Sequence, residues 1–249
     1  MSGHSHYSTI KRQKESKDAA KGKVFSKMAM AIQIAVKTGG GEDPDGNAKL
    51  RVAVEQARAV NMPKSNIERA ITAARERSQK LEEITYEGFG PGGVSVVVEV
   101  ATDNRNRTGQ EIKNLFEKVG GSLGGPGSVM FNFQSRGLIV VDLTQKLEDA
   151  MLKLIDLGIE DMEDVGNNIE VYTNPEKLFE TKTLLDSSGF KISSFELIKK
   201  PLNFQVVSDP IIAQKVLNFL DEIENHDGVQ RVFANIDIPD QVVKTLASK

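Results

Sequence analysis

The 249-residue sequence has no cysteine, no tryptophan and only three histidines. The absence of cysteine excludes disulfides, thiol catalysis and zinc fingers, and it is typical of a protein from a reducing compartment. The sequence also lacks a Ser-His-Asp, Cys-His or HExxH arrangement, and three histidines provide little acid–base capacity near neutral pH. We therefore expect a protein that is not an enzyme and that needs no cofactor.

Long apolar segments are also missing. No apolar run approaches the ~18 residues that a membrane span needs. The N-terminal segment is basic, but no apolar segment follows it, which argues against a secretory signal. Because 39% of the residues are hydrophobic and 27% are charged, the composition is typical of a soluble globular protein. We expect a cytoplasmic protein of one to three domains with no membrane partner.

The net charge of -3 conceals an asymmetry along the chain. Residues 1–80 contain 16 Lys and Arg against 8 Asp and Glu, a balance of +8. Residues 81–249 contain the other 16 Lys and Arg against 27 Asp and Glu, a balance of -11. Such a distribution favours a polyanion-binding segment attached to an acidic remainder, although ordinary solubilising charge is the alternative.

Residues 1–80 have a helical pattern. Apolar residues recur at helical spacing from Phe25 to Ala35 and from Leu50 to Ala57, and glycines 39–41 separate the two stripes. A third helix begins at Pro63 or is capped by Ser65. The pattern predicts three short amphipathic helices that form a small bundle.

After residue 84 the pattern changes to strands. GVSVVVEVATD predicts a strand, Thr108 and Glu111 form a capping box for a helix over 109–119, and SVMFNF predicts the next strand. Residues 137–202 then follow roughly the βαββαβ order of a ferredoxin-like domain. A final β-α-β segment supplies the partner that the first segment lacks. The pattern alone leaves open whether the middle unit is inserted or the domains are contiguous.

Four stretches resemble the YebC/PmpR family of probable transcriptional regulatory proteins. They are GHSHYSTIKRQK, GGGEDPDGNAKLRVAVEQARAVNMPKSNIERAI, YEGFGPGGVSVVVEVATDNRNRT and GGSLGGPGSVMFNF. The resemblance implies an α+β fold in which an N-terminal three-helix domain precedes two α/β (ferredoxin-like) domains, one inserted in the other. The implied boundaries are 1–80 for the basic helical domain, 81–135 plus 203–249 for the split domain, and 136–202 for the inserted domain.

The resemblance also implies a function. Some family members are described as DNA-binding transcriptional regulators, and others as ribosome-associated factors that assist translation, notably at consecutive prolines. We expect the partner of this chain to be nucleic acid, either DNA or, in the alternative, ribosomal RNA.

The candidate nucleic-acid-binding residues lie in the N-terminal segment and in the turn at 104–107. If residues 10–21 are helical, three of the lysines share one face, at spacings of three and four. Cations so spaced suit successive phosphates, and Tyr7 can stack on an unpaired base. The alternative for the N-terminal segment is a solvated tail. The alternative for residues 104–107 is an ordinary capped turn with exposed charges. The predicted set is His4, Ser5, His6, Tyr7, Lys11, Arg12, Lys14, Lys17, Lys21, Lys23, Lys27, Arg105 and Arg107.

Three further motifs point to sites that we do not expect. His4 and His6 have only His226 as a further imidazole, too few ligands for a metal site. The glycine-rich GGSLGGPGSV lacks the end of a P-loop and precedes a strand, so a helix stop explains it better than a phosphate cradle. In EDMEDVG the spacing of oxygen ligands is wrong for calcium, which indicates a solvated acidic turn. Weaker candidates for the basic surface are Lys49, Arg51, Arg58, Lys64 and Arg69.

Overall fold

The computed structural model describes residues 20–77 and 81–247. The helices in these ranges are α1 (Ala20–Thr38), α2 (Ala48–Ala59), α3 (Lys64–Arg77), α4 (Arg105–Lys118), α5 (Leu147–Asp156), α6 (Leu178–Ser187), α7 (Pro210–Glu224) and α8 (Asp240–Ala247). The strands are β1 (Glu82–Phe89), β2 (Ser95–Thr102), β3 (Ser122–Leu123), β4 (Phe133–Asp142), β5 (Asp161–Asp164), β6 (Asn168–Thr173), β7 (Ile192–Pro201), β8 (Gln205–Val206), β9 (Val229–Ala234) and β10 (Ile236–Asp237). None of the helices in the described ranges is long and apolar enough to cross a membrane.

Helices α1 to α3 pack around one small core. Ile32 of α1, Leu50 of α2 and Ile67 of α3 are buried together, as the helical spacing of apolar residues predicts. Helix α2 begins at an N-cap, Asn47, whose side chain accepts a hydrogen bond from the backbone of Leu50. Helix α3 begins directly after Pro63, which favours the first of the two predicted starts.

The first sheet has the strand order β3-β1-β2-β9. Strands β1 and β2 form an antiparallel hairpin, closed by a turn in which Gly92 and Gly93 have positive φ, a conformation that favours glycine. Helices α4 and α7 cover one face of the sheet, where the rings of Phe116 and Phe219 meet edge to face at 5.2 Å. Strands β8 and β10 form a separate parallel pair.

The second sheet has the order β5-β6-β4-β7 and is antiparallel throughout. The chain order β4-α5-β5-β6-α6-β7 with this strand order is the ferredoxin-like topology, and helices α5 and α6 contribute to one core with the sheet. Together with the three N-terminal helices, this confirms the predicted α+β class.

All strands of the second sheet lie in sequence between β3 and β9 of the first sheet. The predicted boundary between residues 135 and 136 falls inside β4, which begins at Phe133 and pairs there with Pro201. The division into a split domain and an inserted domain stays a prediction.

Three local predictions are wrong. SVMFNF is not a strand, because Met130–Asn132 forms a 3-10 turn and β4 starts only at Phe133. Helix α4 begins at Arg105, capped by Asn104 in place of the predicted capping box, because the Asn104 side chain accepts the Arg107 N–H. In the acidic stretch EDMEDVG, Asp161–Asp164 forms strand β5 and not a solvated turn.

The units also contact one another through polar side chains. The Gln56 amide of α2 donates to the carbonyl of Phe195 on β7, at 3.0 Å. Arg231 of β9 lies 2.7 Å from the carboxylate of Glu99 on β2 and donates to the carbonyl of Leu197 on β7, at 2.9 Å. Arg231 therefore links the first sheet to an edge strand of the second.

Candidate nucleic-acid interface

Most of the predicted N-terminal binding residues fall outside the described part of the chain. Helix α1 begins at Ala20, so Lys21 lies in its first turn, although its side chain is also outside the described part. The predicted residues in segment 1–19 are His4, Ser5, His6, Tyr7, Lys11, Arg12, Lys14 and Lys17. Their role in binding nucleic acid stays a prediction.

Lys23 and Lys27 contact the end of α7. The amino group of Lys23 donates to the carbonyl of Asn225 at 3.1 Å, and that of Lys27 donates to the carbonyl of Glu224 at 2.7 Å. Carbonyls at a helix C-terminus carry partial negative charge and lack partners within the helix, so cations stabilise them. These two lysines therefore attach the start of α1 to the helices that cover the first sheet. Their role in binding nucleic acid stays a prediction.

His226 follows the same helix end and has a structural environment. Its Nδ1 atom accepts a hydrogen bond from the backbone of Gly228 at 3.1 Å, and its Nε2 atom lies 3.4 Å from the carboxylate of Glu111. Within residues 20–77 and 81–247, no group of three or more His, Cys, Asp or Glu side chains is placed to hold a metal ion.

The predicted arginines at 105 and 107 lie on the first turn of α4 and not in a loop. Arg107 is held by two exposed carboxylates, Asp103 at 2.9 Å and Glu111 at 3.8 Å. Arg105 is exposed. Burial raises the pKa of the nearby Tyr86 hydroxyl, and the positive charge of Arg105 opposes that shift. N–H groups at a helix N-terminus favour anions. Because Arg107 is already paired with two carboxylates, Arg105 is better placed than Arg107 to contact a phosphate there.

The exposed side of α4 carries a row of three amides and one lysine that the sequence reasoning missed. Asn106, Gln110, Lys113 and Asn114 are exposed, and the Gln110 amide donates to that of Asn114 at 2.7 Å. Their spacing of three and four residues could have revealed the row. The helix was predicted to start at residue 109, however, which left Asn106 outside it. Amide side chains of this kind hydrogen-bond the edges of bases and phosphate oxygens.

The weaker basic candidates lie on α2 and α3. Arg51 donates to the carbonyls of Pro44 and Asp45, and its guanidinium lies 5.0 Å from the centre of the Phe179 ring. Lys64 lies 3.6 Å from Glu68. Lys49 donates weakly to Thr38, whereas Arg58 and Arg69 are exposed. Arg51 and Lys64 thus already have partners within the protein.

The glycine-rich loop binds an internal anion. The buried carboxylate of Glu87 accepts backbone hydrogen bonds from Gly127 at 2.7 Å, Val129 at 2.9 Å and Met130 at 2.8 Å. Burial alone would raise the pKa of Glu87, but the three N–H donors lower it below its ordinary value. The N–H groups that a phosphate cradle would need are therefore occupied by the protein itself.

The acidic stretch is neutralised in a similar way. The amino group of Lys200 lies 3.3 Å from a carboxylate oxygen of Asp161, 3.0 Å from one of Glu163, and 3.3 Å from the centre of the Tyr172 ring. The Tyr172 hydroxyl donates to Glu170 at 2.6 Å. Burial, and then the neighbouring carboxylates, raise the pKa of Tyr172, so this hydroxyl is a permanent donor.

Comparison with known proteins identifies the family of the chain. A family model described as the TACO1/YebC protein N-terminal domain matches residues 5–77, and one described as the TACO1/YebC second and third domain matches residues 81–236. The chain belongs to the TACO1/YebC family. This confirms the resemblance to the YebC/PmpR family, and the N-terminal match includes most of the predicted basic residues.

Individual relatives of this TACO1/YebC chain are similar over its whole length. A "probable transcriptional regulatory protein" of Dictyoglomus thermophilum is 45% identical, covering 99% of this chain and 100% of the relative. One of the same description from Dictyoglomus turgidum is 44% identical with the same coverage. A crystal structure of a conserved hypothetical protein from Aquifex aeolicus superimposes with a TM-score of 0.81 at 41% identity, covering 90% of this chain and 93% of the other.

Proposed function

We propose that this protein is a nucleic-acid-binding regulator that acts on transcription by binding DNA. The observation that carries the proposal is the separation of charge, +8 in residues 1–80 against -11 in residues 81–249. Its relatives are described as probable transcriptional regulatory proteins, which supports the same role. A cytoplasmic location, and a role that involves no catalysis, belong to this proposal.

Phosphate contacts supply the affinity. The lysines of the N-terminal segment neutralise backbone phosphates and release counterions, so binding weakens as salt rises. Arg105 and the N-terminal turn of α4 add a second phosphate contact, and the amides of Asn106 and Gln110 lie beside it on the exposed side of the helix. Contacts of this kind fix register on a strand without reading every base.

The acidic remainder of the chain restricts where the polyanion binds. Exposed carboxylates on α5 and α7, such as Asp149, Asp156 and Glu222, repel phosphates from those helices. Repulsion on one side and attraction at the N-terminal side orient the protein on its ligand.

Fluorescence anisotropy with a labelled duplex of about 25 base pairs tests the proposal. The wild-type chain should bind, and replacing Lys14 and Lys17 together with Gln should weaken binding about tenfold at 100 mM salt. The matched control is Lys244→Gln in α8, an exposed lysine of the acidic part, which should bind like the wild type. A specific site is indicated if one duplex survives an excess of unrelated competitor.

Two results would overturn the transcriptional proposal. One is loss of all duplex binding at physiological salt. The other is co-sedimentation of the protein with ribosomes, together with stalling at proline runs when the protein is absent, which would assign the same cations to ribosomal RNA and support a role in translation.

A further inference from the structure

One aromatic side chain is almost wholly outside the hydrophobic cores. Phe131 is 77% exposed, at the centre of the 3-10 turn Met130–Asn132 that connects the two sheets. Leu202, on the segment that returns from the second sheet, is 56% exposed. The two segments lie side by side, because the backbone N–H of Leu202 donates to the carbonyl of Asn132 at 2.8 Å. Exposed apolar groups that cluster in this way mark interaction sites.

The turn that carries Phe131 is held on both sides. Before it, the backbone N–H groups of Val129 and Met130 are bound by the buried Glu87 carboxylate. After it, the Asn132 side chain donates to the carbonyl of Asn203 at 3.1 Å and accepts from the Asn203 backbone at 3.1 Å. A side chain exposed by a rigid backbone loses little conformational entropy on binding, which is the property of a binding anchor.

The two chain segments that carry Phe131 and Leu202 lack charged residues. Segments 119–135 and 201–208 contain no Asp, Glu, Lys or Arg, in a chain of which 27% is charged. Exposed apolar residues on the helices differ in this respect, since Leu152 has Asp149 and Asp156 on the same helix and Ile211 follows Asp209 closely. Phe131 is thus an exposed apolar group with no ionised carboxylate on its own segments.

One lysine lies further along the ladder that ends at this surface. The β4–β7 ladder ends at the Phe133–Pro201 pair, and the Ser135–Lys199 pair is two steps further along it. The amino group of Lys199 donates to the Ser135 hydroxyl at 2.8 Å. An uncharged aromatic surface with a cation at its edge suits a base together with its phosphate, because bases stack on aromatic rings while cations follow the backbone.

We propose that Phe131 is a stacking platform for an unpaired base of a single-stranded nucleic acid, with Lys199 beside it as a phosphate contact. This proposal rests on the nucleic-acid binding proposed above and adds a second class of ligand, strands whose bases are accessible. Duplex DNA hides the faces of its bases, so the N-terminal cations can bind it while Phe131 does not engage. Loss of one base–aromatic stack weakens binding by about 5- to 150-fold.

The absence of tryptophan from the chain allows a direct test. Phe131→Trp places a single indole on the platform, and its fluorescence should be quenched on titration with single-stranded oligo(dT) or oligo(U) of about 20 nucleotides. A duplex of the same length should quench it little. Leu152→Trp, at a residue that is 61% exposed on α5, is the matched control and should not respond.

Binding measurements complete the test. Phe131→Ala should bind the labelled single strand at least fivefold more weakly than the wild type, with unchanged duplex binding and an unchanged melting temperature. Comparison of the oligo(dT) and oligo(U) arms shows whether DNA or RNA is preferred.

The possible failures are distinguishable. If the wild type binds neither single strands nor duplex, the proposed function itself fails. If the wild type binds the single strand but Phe131→Ala binds equally well, or if the indole is not quenched, the stacking platform alone is overturned. A blue shift of the indole that grows with protein concentration, without oligonucleotide, would show that a second copy of the chain covers Phe131 and would likewise overturn it.

Discussion

A carboxylate oxygen of Glu87 accepts a hydrogen bond of 2.8 Å from the backbone N–H of Met130, which lies 43 residues later in the chain. The same carboxylate also binds the backbone of Gly127 and Val129. One buried anion thereby organises the glycine-rich loop and the turn that exposes Phe131. The loop resembles a phosphate cradle because it is built to surround negative charge, but that charge is supplied from within the protein.

Removing this anion should destabilise the protein. In Glu87→Ala the backbone donors of the loop lose their acceptor, and in Glu87→Gln the new NH₂ group faces an N–H donor. Because Glu87 is only 7% exposed, we expect a loss on the order of 3 kcal/mol in the free energy of unfolding for either variant. Chemical denaturation measures it. Glu83→Gln, an exposed position on the same strand, is the control, and an equal effect there would contradict the assignment.

Acid should weaken the protein through the same group. The pKa of Glu87 is lower in the folded chain than its ordinary value, so its contribution to stability is complete above about pH 4.3 and is lost as pH falls through the folded pKa. Asp142, whose pKa is lowered by hydrogen bonds from Lys191 and then Ser193, acts in the same direction. Between pH 5 and pH 3 the melting temperature of Glu87→Gln should fall less than that of the wild type.

The sequence predicted those elements whose cause is local. The buried stripe of α1 and α2 and the β-branched run of β2 follow from periodicity, and each is found where the pattern places it. The turn at Met130–Asn132 was predicted as a strand because VMFNF has strand composition. Its backbone donors are bound by Glu87, 42 and 43 residues earlier, and no local pattern contains that information.

The candidate site was predictable in chemistry and not in geometry. Charge distribution identified the basic segment, but only the fold shows that Lys27 binds the end of α7. Strand β5 was missed because Asp161 and Glu163 are unusual in strands, and it is Lys200, from the opposite edge of the sheet, that compensates their charge. The sequence does not single out Phe131, because the exposure of one aromatic residue within an apolar run has no local pattern.

The ion pair between Arg231 and Glu99 should contribute to stability. These residues are directly opposite on β9 and β2, and Glu99 is 7% exposed. Arg231→Ala leaves a nearly buried carboxylate without its cation, so we expect a loss of about 2–3 kcal/mol, below the range for fully buried pairs because Arg231 is partly exposed. Denaturation midpoints measure the loss.

A second substitution separates charge from packing in this pair. Adding Glu99→Gln to Arg231→Ala removes the unpaired charge and should recover about half of the loss. Arg107→Ala is the control, since its partners are exposed and its ion pairs should contribute less than about 1 kcal/mol. No recovery in the double variant would mean that Arg231 acts through packing and its hydrogen bond to Leu197 alone.

The salt dependence of binding should separate lysines that contact phosphate from lysines that hold the fold. Each phosphate contact contributes about 0.9 to the slope of log K against log salt for duplex DNA. Lys14→Gln should therefore lower the slope by about one. In Lys27→Gln the slope should change less, because the Lys27 amino group already donates to the carbonyl of Glu224, and stability should fall by about 1 kcal/mol instead. Anisotropy titrations from 50 to 200 mM salt, with a melting curve for each variant, measure both effects.

If Lys27→Gln lowers the slope as much as Lys14→Gln and leaves the melting temperature unchanged, the Lys27 side chain exchanges its carbonyl for a phosphate on binding. Helix α1 then belongs to the interface itself.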